Sequence, residues 1–208
     1  MLKHDVARRM DEIAAAGIKL KQHPFEMEWA CHHVSSHVGL SDVYVEVGAY
    51  EGASLYVYGA LCSVGGTIIA IDDGKRSHKT RTRLKRSCAM LEKQGYDVRW
   101  IRGNSHQQET LDALQEILGK RRVDFLHIDG DHSAAGSALD WRMYGPLVRP
   151  GGVTAFHDIR ATPPSMVTDT WNKLTNSGVL TRAICSGPFT IGDEPKLHKA
   201  CGIGLVYT

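Results

Sequence analysis

Long hydrophobic runs are missing from this sequence of 208 residues. No stretch approaches the ~20 apolar residues that a membrane-spanning helix needs, so we expect no membrane partner. The opening segment MLKHDVARRMDEI is charged where a signal peptide carries an apolar core. We therefore expect a cytoplasmic protein.

An excess of one charge and paired cysteines are also lacking. Lys plus Arg number 25 and Asp plus Glu number 23, for a net charge of +2. This balance makes binding of nucleic acid over the whole surface unexpected. The five cysteines are scattered and form no CxxC pair, which argues against a disulfide framework and a structural zinc site.

Glycine is abundant, with 21 residues, as in α/β proteins with many tight turns. Two helical patterns occupy residues 1–40, which we interpret as an N-terminal helical extension to a domain at 41–208. Short apolar runs then alternate with helical patterns, the last of which opens at Pro163 and Pro164. The runs lie at 43–47, 67–71, 97–101, 123–128, 153–156, 180–184 and 202–207.

This alternation predicts an α/β fold with a Rossmann-like, doubly wound, seven-stranded sheet that is mainly parallel and has helices on both faces. Between the last two runs there is no helix-length apolar pattern. We therefore expect them to form an antiparallel C-terminal hairpin at the edge of the sheet.

A glycine-rich turn, VEVGAYEGAS, follows the first strand pattern. Gly48 and Gly52 allow the backbone to turn sharply and to approach a ligand. The spacing differs from GxGxxG, and Glu46 would repel a pyrophosphate. Asp72, after the second strand pattern, can accept hydrogen bonds from both hydroxyls of a ribose. These features favour a nucleoside ligand without phosphate, unless the residues only terminate strands.

The segments VEVGAYEGAS and IIAIDD resemble motif I and the following acidic loop of class I S-adenosylmethionine (SAM) methyltransferases, and residues 45–54 are especially similar to the catechol O-methyltransferase group. The segment GNSH at 103–106 matches the adenine-side loop of that family. The resemblance implies these SAM contacts: Gly48, Tyr50 and Ser54 at the methionine end, Glu46 on the sulfonium side, Asp72 on the ribose, and Ser105 and His106 at the adenine.

Acidic and histidine residues follow the fourth and fifth strand patterns, in HIDGDH and FHD. Since neighbouring parallel strands end at the same edge, we expect Asp129, Asp131, His132, His157 and Asp158 to lie together. Such close carboxylates need a positive partner, and oxygen ligands with one imidazole suit Mg²⁺ or Mn²⁺. The metal would lower the pKa of a substrate hydroxyl, and a histidine would take its proton.

These segments are similar to metal-dependent small-molecule O-methyltransferases and, over about residues 43–175, to a bacterial family with sugar- and antibiotic-tailoring members. The resemblance implies Asp129, His157 and Asp158 as metal ligands and His132 as general base. Asp129 is also expected to serve catalysis and the cofactor. His157 stands where the catechol group has Asp. Asp131 could replace Asp129, or the residues could only cap strand ends.

The predicted function is methyl transfer from SAM to a hydroxyl of a small molecule, such as a sugar, polyol, phenol or natural product. A nucleotide-dependent oxidoreductase and a SAM-binding protein without catalysis remain open. A nucleic-acid methyltransferase is less expected, because HIDGDH replaces an Asn/Asp-Pro-Pro-Tyr-like motif.

Three surface features complete the expectations. Residues 75–86 carry seven Lys or Arg, which we interpret as a solvated helix face in preference to a site for an anionic substrate. Trp141 with Tyr144 is a candidate wall of the acceptor pocket. The helices of residues 1–40 would either cover the cofactor site or form a homodimer contact.

Overall fold

A computed structural model describes residues 2–160, 167–186 and 201–208. The helices are α1 (Leu2–Ala15), α2 (Pro24–Val38), α3 (Ala53–Tyr58), α4 (His78–Glu92), α5 (Gln108–Leu118), α6 (Ala134–Tyr144) and α7 (Val167–Asn176). The strands are β1 (Ser41–Val47), β2 (Cys62–Ile71), β3 (Asp97–Ile101), β4 (Val123–Ile128), β5 (Val148–His157), β6 (Thr181–Ile184) and β7 (Ile203–Tyr207). The predicted helix start at Pro163 and Pro164 lies outside the described residues.

The strands form one sheet in the order β3-β2-β1-β4-β5-β7-β6. Strands β1 to β5 pair in parallel, whereas β7 runs antiparallel to β5 and β6 antiparallel to β7. This confirms the predicted mainly parallel sheet with an antiparallel edge hairpin. The chain reverses its direction of winding between β1 and β4, so a crevice opens at the carboxyl ends of these strands.

Side chains of each central strand alternate between two hydrophobic cores. On β1, Tyr44 faces the core under α1 to α4, and Val45 and Val47 face the core under α5 to α7. Helices therefore cover both faces, as predicted. Val6 of α1 and Met27 of α2 belong to the first core, so residues 1–40 share a core with the sheet. No helix of the described residues is long and apolar enough to cross a membrane.

Strand β1 begins two residues earlier than the pattern predicts, at Ser41, and two strands begin five residues earlier, β2 at Cys62 and β5 at Val148. At the starts of β2 and β5 the register with the neighbouring strand shifts. The glycines at 65–66 and 151–152 lie in these irregular parts. Because glycine interrupts hydrophobic alternation, the strand extensions leave no signal in the sequence.

Candidate functional site

The turn after β1 brings the ends of three strands together. Gly48, Tyr50 and Gly52 have left-handed backbone angles, with φ of 86°, 50° and 79°. The amide of Gly48 donates to the carbonyl of Ile71 at the end of β2, at 2.8 Å. A Cβ atom on Gly48 would lie 2.2 Å from the carbonyl oxygen of Asp129, so only glycine fits beside the end of β4.

Two adjoining cavities open above these strand ends. The larger, here called the main cleft, has a volume of about 340 Å³ and is bordered by the β1 turn. The smaller, here called the side pocket, has a volume of about 280 Å³ and includes the 103–106 loop. The two cavities share four lining residues, namely Gly48, Asp72, Asp73 and Gly130.

Glu46 lies beneath the turn and is completely buried. Its carboxylate accepts hydrogen bonds from the hydroxyl of Tyr44, at 2.6 Å, and from the hydroxyl of Ser54. Nδ1 of His127 is 3.3 Å from the same carboxylate. Ser54 lines the main cleft and Glu46 does not. Glu46 therefore stands behind Ser54, and its influence on a ligand passes through that hydroxyl.

Asp72 stands on the edge that the two cavities share. One carboxylate oxygen accepts from the amide of Tyr50 at 2.8 Å and the other from the amide of Gly74 at 2.7 Å. Burial raises the pKa of Asp72 although both bonds favour the charged form. The carboxylate is thus held in one orientation where the sequence predicts a ribose.

The side pocket contains the predicted adenine contacts Ser105 and His106. Nε2 of His106 lies 3.2 Å from a carboxylate oxygen of Asp140, a wholly buried residue of α6 whose pKa is raised by burial. The hydroxyl of Tyr144 donates to the carbonyl of Ser105 at 2.7 Å. Helix α6 thus holds the 103–106 loop in place.

Trp141 and Tyr144 line neither the main cleft nor the side pocket. Tyr144 is wholly buried, and Trp141 packs against Phe156 with ring centres 5.7 Å apart. Neither residue therefore walls these two cavities, and a role at the acceptor pocket stays a prediction. Both residues lie on the face of α6 that covers the sheet.

Four predicted residues meet at the ends of β4 and β5: Asp129, His132, His157 and Asp158. Nδ1 of His132 is 2.6 Å from Asp158, and its Nε2 is 3.3 Å from Asp129. Nδ1 of His157 is 3.1 Å from Asp129 and 3.2 Å from Asp158. Each imidazole therefore bridges the same two carboxylates. We call this group the acidic cluster.

The carboxylates and imidazoles of the acidic cluster shift one another's pKa. Hydrogen bonds to Asp129 and Asp158 raise the pKa of His132 to about 11. Burial lowers the pKa of His157, but the interactions with Asp129 and Asp158 outweigh burial and raise the pKa to about 9. Burial opposes ionisation of Asp129, yet His157 and His132 hold its pKa below the usual range. Without a cation, the two carboxylates thus favour the charged form of both imidazoles, which compensates their negative charge.

Asp131 does not join this cluster. Its carboxylate accepts from the amide of Ser133 at 2.8 Å, at the start of α6, and this bond lowers its pKa. A Cβ atom on Gly136 would lie 2.1 Å from the Asp131 carboxyl carbon, which shows how closely the side chain packs on the helix. Of the two aspartates that the sequence offers, Asp129 is the one beside His157 and Asp158.

The donor atoms of the cluster fit a divalent cation. Among the described residues, ligating atoms of Asp129, His132 and Asp158 lie within 4.8 Å of one another, and so do those of His157, Asp158 and Cys201. Nε2 of His157 is buried without a hydrogen-bond partner in this part of the chain. The predicted ligands Asp129, His157 and Asp158 span both groups.

Sequence reasoning missed Gln22, which binds Asp129, and Cys201, whose thiol lies beside His157 and Asp158. Gln22 is buried in the loop between α1 and α2, and its Nε2 donates to Asp129 at 2.7 Å. Lys19 and Lys21 of the same loop also line the main cleft. This placement favours the interpretation that residues 1–40 cover the cofactor site. No spacing or motif connects this loop to β4, so no sequence signal could have identified it.

The basic segment 75–86 contributes to the rim of the main cleft. Arg83 donates to the carboxylate of Glu51 at 2.7 Å, and Arg86 donates to the carbonyl of Ala16 at 2.8 Å. Arg76 lies over the ring of Tyr50, 4.9 Å from its centre. The predicted solvated face is therefore only partly correct, since these charges bind other parts of the protein.

A family model described as a methyltransferase domain matches residues 45–159, more than half of the chain. The matched segment runs from within β1 to just beyond β5, so it contains the glycine turn, Asp72 and the acidic cluster. No curated protein matches the chain.

Three similar solved structures are methyltransferases. The O-methyltransferase TomG from Streptomyces achromogenes, involved in tomaymycin synthesis and solved with SAM, is 12% identical, with a TM-score of 0.66 over 98% of this chain and 89% of that one. The O-methyltransferase from Bacillus cereus, solved with S-adenosylhomocysteine (SAH), is 18% identical, with a TM-score of 0.64 over 99% and 91%. The precorrin-6y C5,15-methyltransferase from Geobacter metallireducens is 15% identical, with a TM-score of 0.60 over 87% and 88%. At these identities the likeness shows the fold.

Proposed function

We propose that this chain methylates a hydroxyl of a small molecule with the help of a divalent cation. The chain belongs to the methyltransferase-domain family and is a class I SAM-dependent methyltransferase. The observation that carries the proposal is the convergence of the acidic cluster beside a cleft that also holds the glycine turn and Asp72. Family membership confirms the predicted enzyme class and sets aside the oxidoreductase alternative.

The proposed cofactor position spans both cavities. Asp72, on their shared edge, accepts hydrogen bonds from the ribose hydroxyls. Ser54 and Tyr50 contact the methionine end in the main cleft, and Ser105 and His106 contact the adenine in the side pocket. The fixed carboxylate of Asp72 and the 340 Å³ and 280 Å³ cavities on either side support this arrangement.

The proposed cation ligands are Asp129, His157 and Asp158. When bound, Mg²⁺ or Mn²⁺ supplies positive charge that favours the deprotonated acceptor oxygen. His132 accepts the proton of the acceptor hydroxyl, because its side chain is half exposed at the cleft while both its nitrogens reach the cluster. This role requires that the cation replace the His132 imidazole in compensating the negative charge of Asp129 and Asp158.

In the proposed reaction the acceptor oxygen attacks the methyl carbon of SAM, and the bond between this carbon and the sulfur of SAM breaks. SAH leaves, and the hydroxyl proton passes to His132. The chain contributes orientation of the acceptor oxygen toward the methyl group, which supplies much of the acceleration in such transfers. The O-methyltransferases from Streptomyces achromogenes and Bacillus cereus, which have a similar fold, support oxygen as the acceptor atom.

The first test is calorimetric titration of SAH into the wild type and into Asp72→Asn. We expect the variant to bind at least about tenfold more weakly, a loss of about 1.4 kcal/mol, because one carboxylate oxygen is replaced by an amide donor. Asp97→Asn, which changes an exposed ion pair with Arg99 on β3, is the matched control and should bind like the wild type. Absence of SAH binding by the wild type would contradict the proposed site.

The metal requirement is tested by turnover of hydroxyl acceptors with Mg²⁺, Mn²⁺ or EDTA. We expect Asp129→Ala to abolish both activity and its dependence on the cation. Full activity in EDTA would contradict metal assistance. SAH binding without turnover of any acceptor would favour the alternative of a SAM-binding protein without catalysis.

A further inference from the structure

Cys201 reaches the acidic cluster through the antiparallel edge of the sheet. Strand β7 begins at Ile203, which pairs with His157 on β5. Cys201 lies two residues before this pair, and its carbonyl accepts from the amide of Arg160 at 2.8 Å. The backbone at and just after Cys201 is therefore tied to the end of β5, and its thiol hydrogen-bonds with Asp158.

The surroundings of the thiol contain the other donors of a metal site. Sγ of Cys201, a ring nitrogen of His157 and a carboxylate oxygen of Asp158 lie within 4.8 Å of one another. Donors bound to one zinc ion at about 2.0–2.3 Å stand roughly 3.5 Å apart, so movements of about 1 Å would close the group around an ion. His157 is 6% exposed, and its Nε2 has no hydrogen-bond partner among the described residues.

We infer that a divalent cation in the acidic cluster is bound partly by the thiolate of Cys201, together with His157 and Asp158. The site then prefers a borderline-soft ion such as Zn²⁺ or Co²⁺ over Mg²⁺, since thiolate and imidazole select such ions and Mg²⁺ selects oxygen. The thiol proton of Cys201 and one imidazolium proton of His157 are released to solvent as the sulfur–metal and nitrogen–metal bonds form. This inference rests on the proposed function, because it names a ligand and the ion of the proposed cation site.

The experiment is a titration of metal-free protein with Co²⁺ followed by absorption. A sulfur-to-cobalt charge-transfer band in the near ultraviolet reports a thiolate bound directly to the ion and requires no measurement of activity. We expect the band in the wild type and its loss in Cys201→Ser. Cys185→Ser is the matched control, because Cys185 is an exposed cysteine just after β6 in the same hairpin and belongs to neither ligand group. This control should keep the band.

Competition gives the selectivity. Zn²⁺ should remove the cobalt band of the wild type at far lower concentration than Mg²⁺. Cys201→Ser should weaken Zn²⁺ binding by at least about tenfold. The chemical shift of cadmium bound to the wild type gives a second readout of sulfur coordination, which remains decisive if the variant folds poorly.

Two results would overturn the inference and leave the proposed function in place. One is Co²⁺ binding by the wild type without a charge-transfer band, and the other is a band that survives in Cys201→Ser. Absence of any Co²⁺ or Zn²⁺ binding would also overturn it. Methyl transfer that is equally fast in Mg²⁺ and in EDTA would then show that metal assistance fails as well.

Discussion

Glu46 illustrates how residues of this site act through one another. Its carboxylate is wholly buried, but it holds the hydroxyl of Ser54, which lines the main cleft. Gln22 acts in the same way on Asp129, whose second carboxylate oxygen it binds at 2.7 Å. A buried group that holds a ligand-binding side chain restricts its rotamers and tunes its basicity.

The prediction at this scale is that Gln22→Leu weakens binding of divalent metal about 10–100-fold. Leucine fills a similar volume but leaves an oxygen of Asp129 without its donor. Calorimetric titration with Mn²⁺ or Zn²⁺ measures the effect. Gln108→Leu is the control, since Gln108 makes an equivalent 2.7 Å bond to Asp112 on the exposed surface of α5. Equal affinities in the two variants would show that Asp129 needs no such support.

At the scale of elements, α1 matters because it carries the loop with Gln22 to the cleft. Arg9 anchors this helix and is 3% exposed. Its guanidinium donates to the carbonyl of Tyr56 at 2.8 Å and to the hydroxyl of Tyr96 at 3.1 Å. It also lies over both rings, 5.0 Å and 5.6 Å from their centres. Helix α1 is thus fixed to α3 and to the segment before β3.

We predict that Arg9→Met lowers the free energy of unfolding by about 2–3 kcal/mol, because two hydrogen bonds from a buried charge are lost and their acceptors remain. Arg8→Met is the control. Arg8 pairs with Asp5 and Glu12 on the exposed face of α1, and such pairs contribute less than about 1 kcal/mol. Urea unfolding of both variants makes the comparison. Similar small losses would mean that apolar packing alone holds α1.

At the scale of the whole molecule, one sheet carries two cores. Leu55 of α3 belongs to the core under α1 to α4, and Leu114 of α5 belongs to the core under α5 to α7. Both side chains are completely buried. Because alternate residues of the same strands enter the two cores, damage to either one should destabilise the entire sheet.

We therefore predict that Leu55→Ala and Leu114→Ala each lower stability by about 2–5 kcal/mol. Tryptophan fluorescence and circular dichroism should report one coincident transition in both variants. Leu40→Ala serves as the control, since Leu40 is 63% exposed and its loss should cost less than about 0.5 kcal/mol. Two separate transitions would contradict the view that the cores unfold together.

The sequence by itself determined the sheet, its mainly parallel order and the two turns that shape the cleft. Strands β3 and β4 have the predicted bounds. For β4 the reason is that an apolar run in a central parallel strand is buried on both faces. Gly48 and Asp72 were identified because local backbone demands and strand ends leave a pattern in the chain. Asp129, His157 and Asp158 were grouped for the same reason, since parallel strands end at one edge.

Only the tertiary structure decided which side chains complete the cluster. Gln22 binds Asp129 across 107 positions of the chain, and Cys201 reaches Asp158 from the segment just before the last strand. The start of α6 binds the carboxylate of Asp131, whereas that of Asp129 lies beside His157. Contacts of this kind depend on how loops from distant elements pack on a shared edge. A sequence pattern records the period of one element, whereas these positions are set by the packing of several.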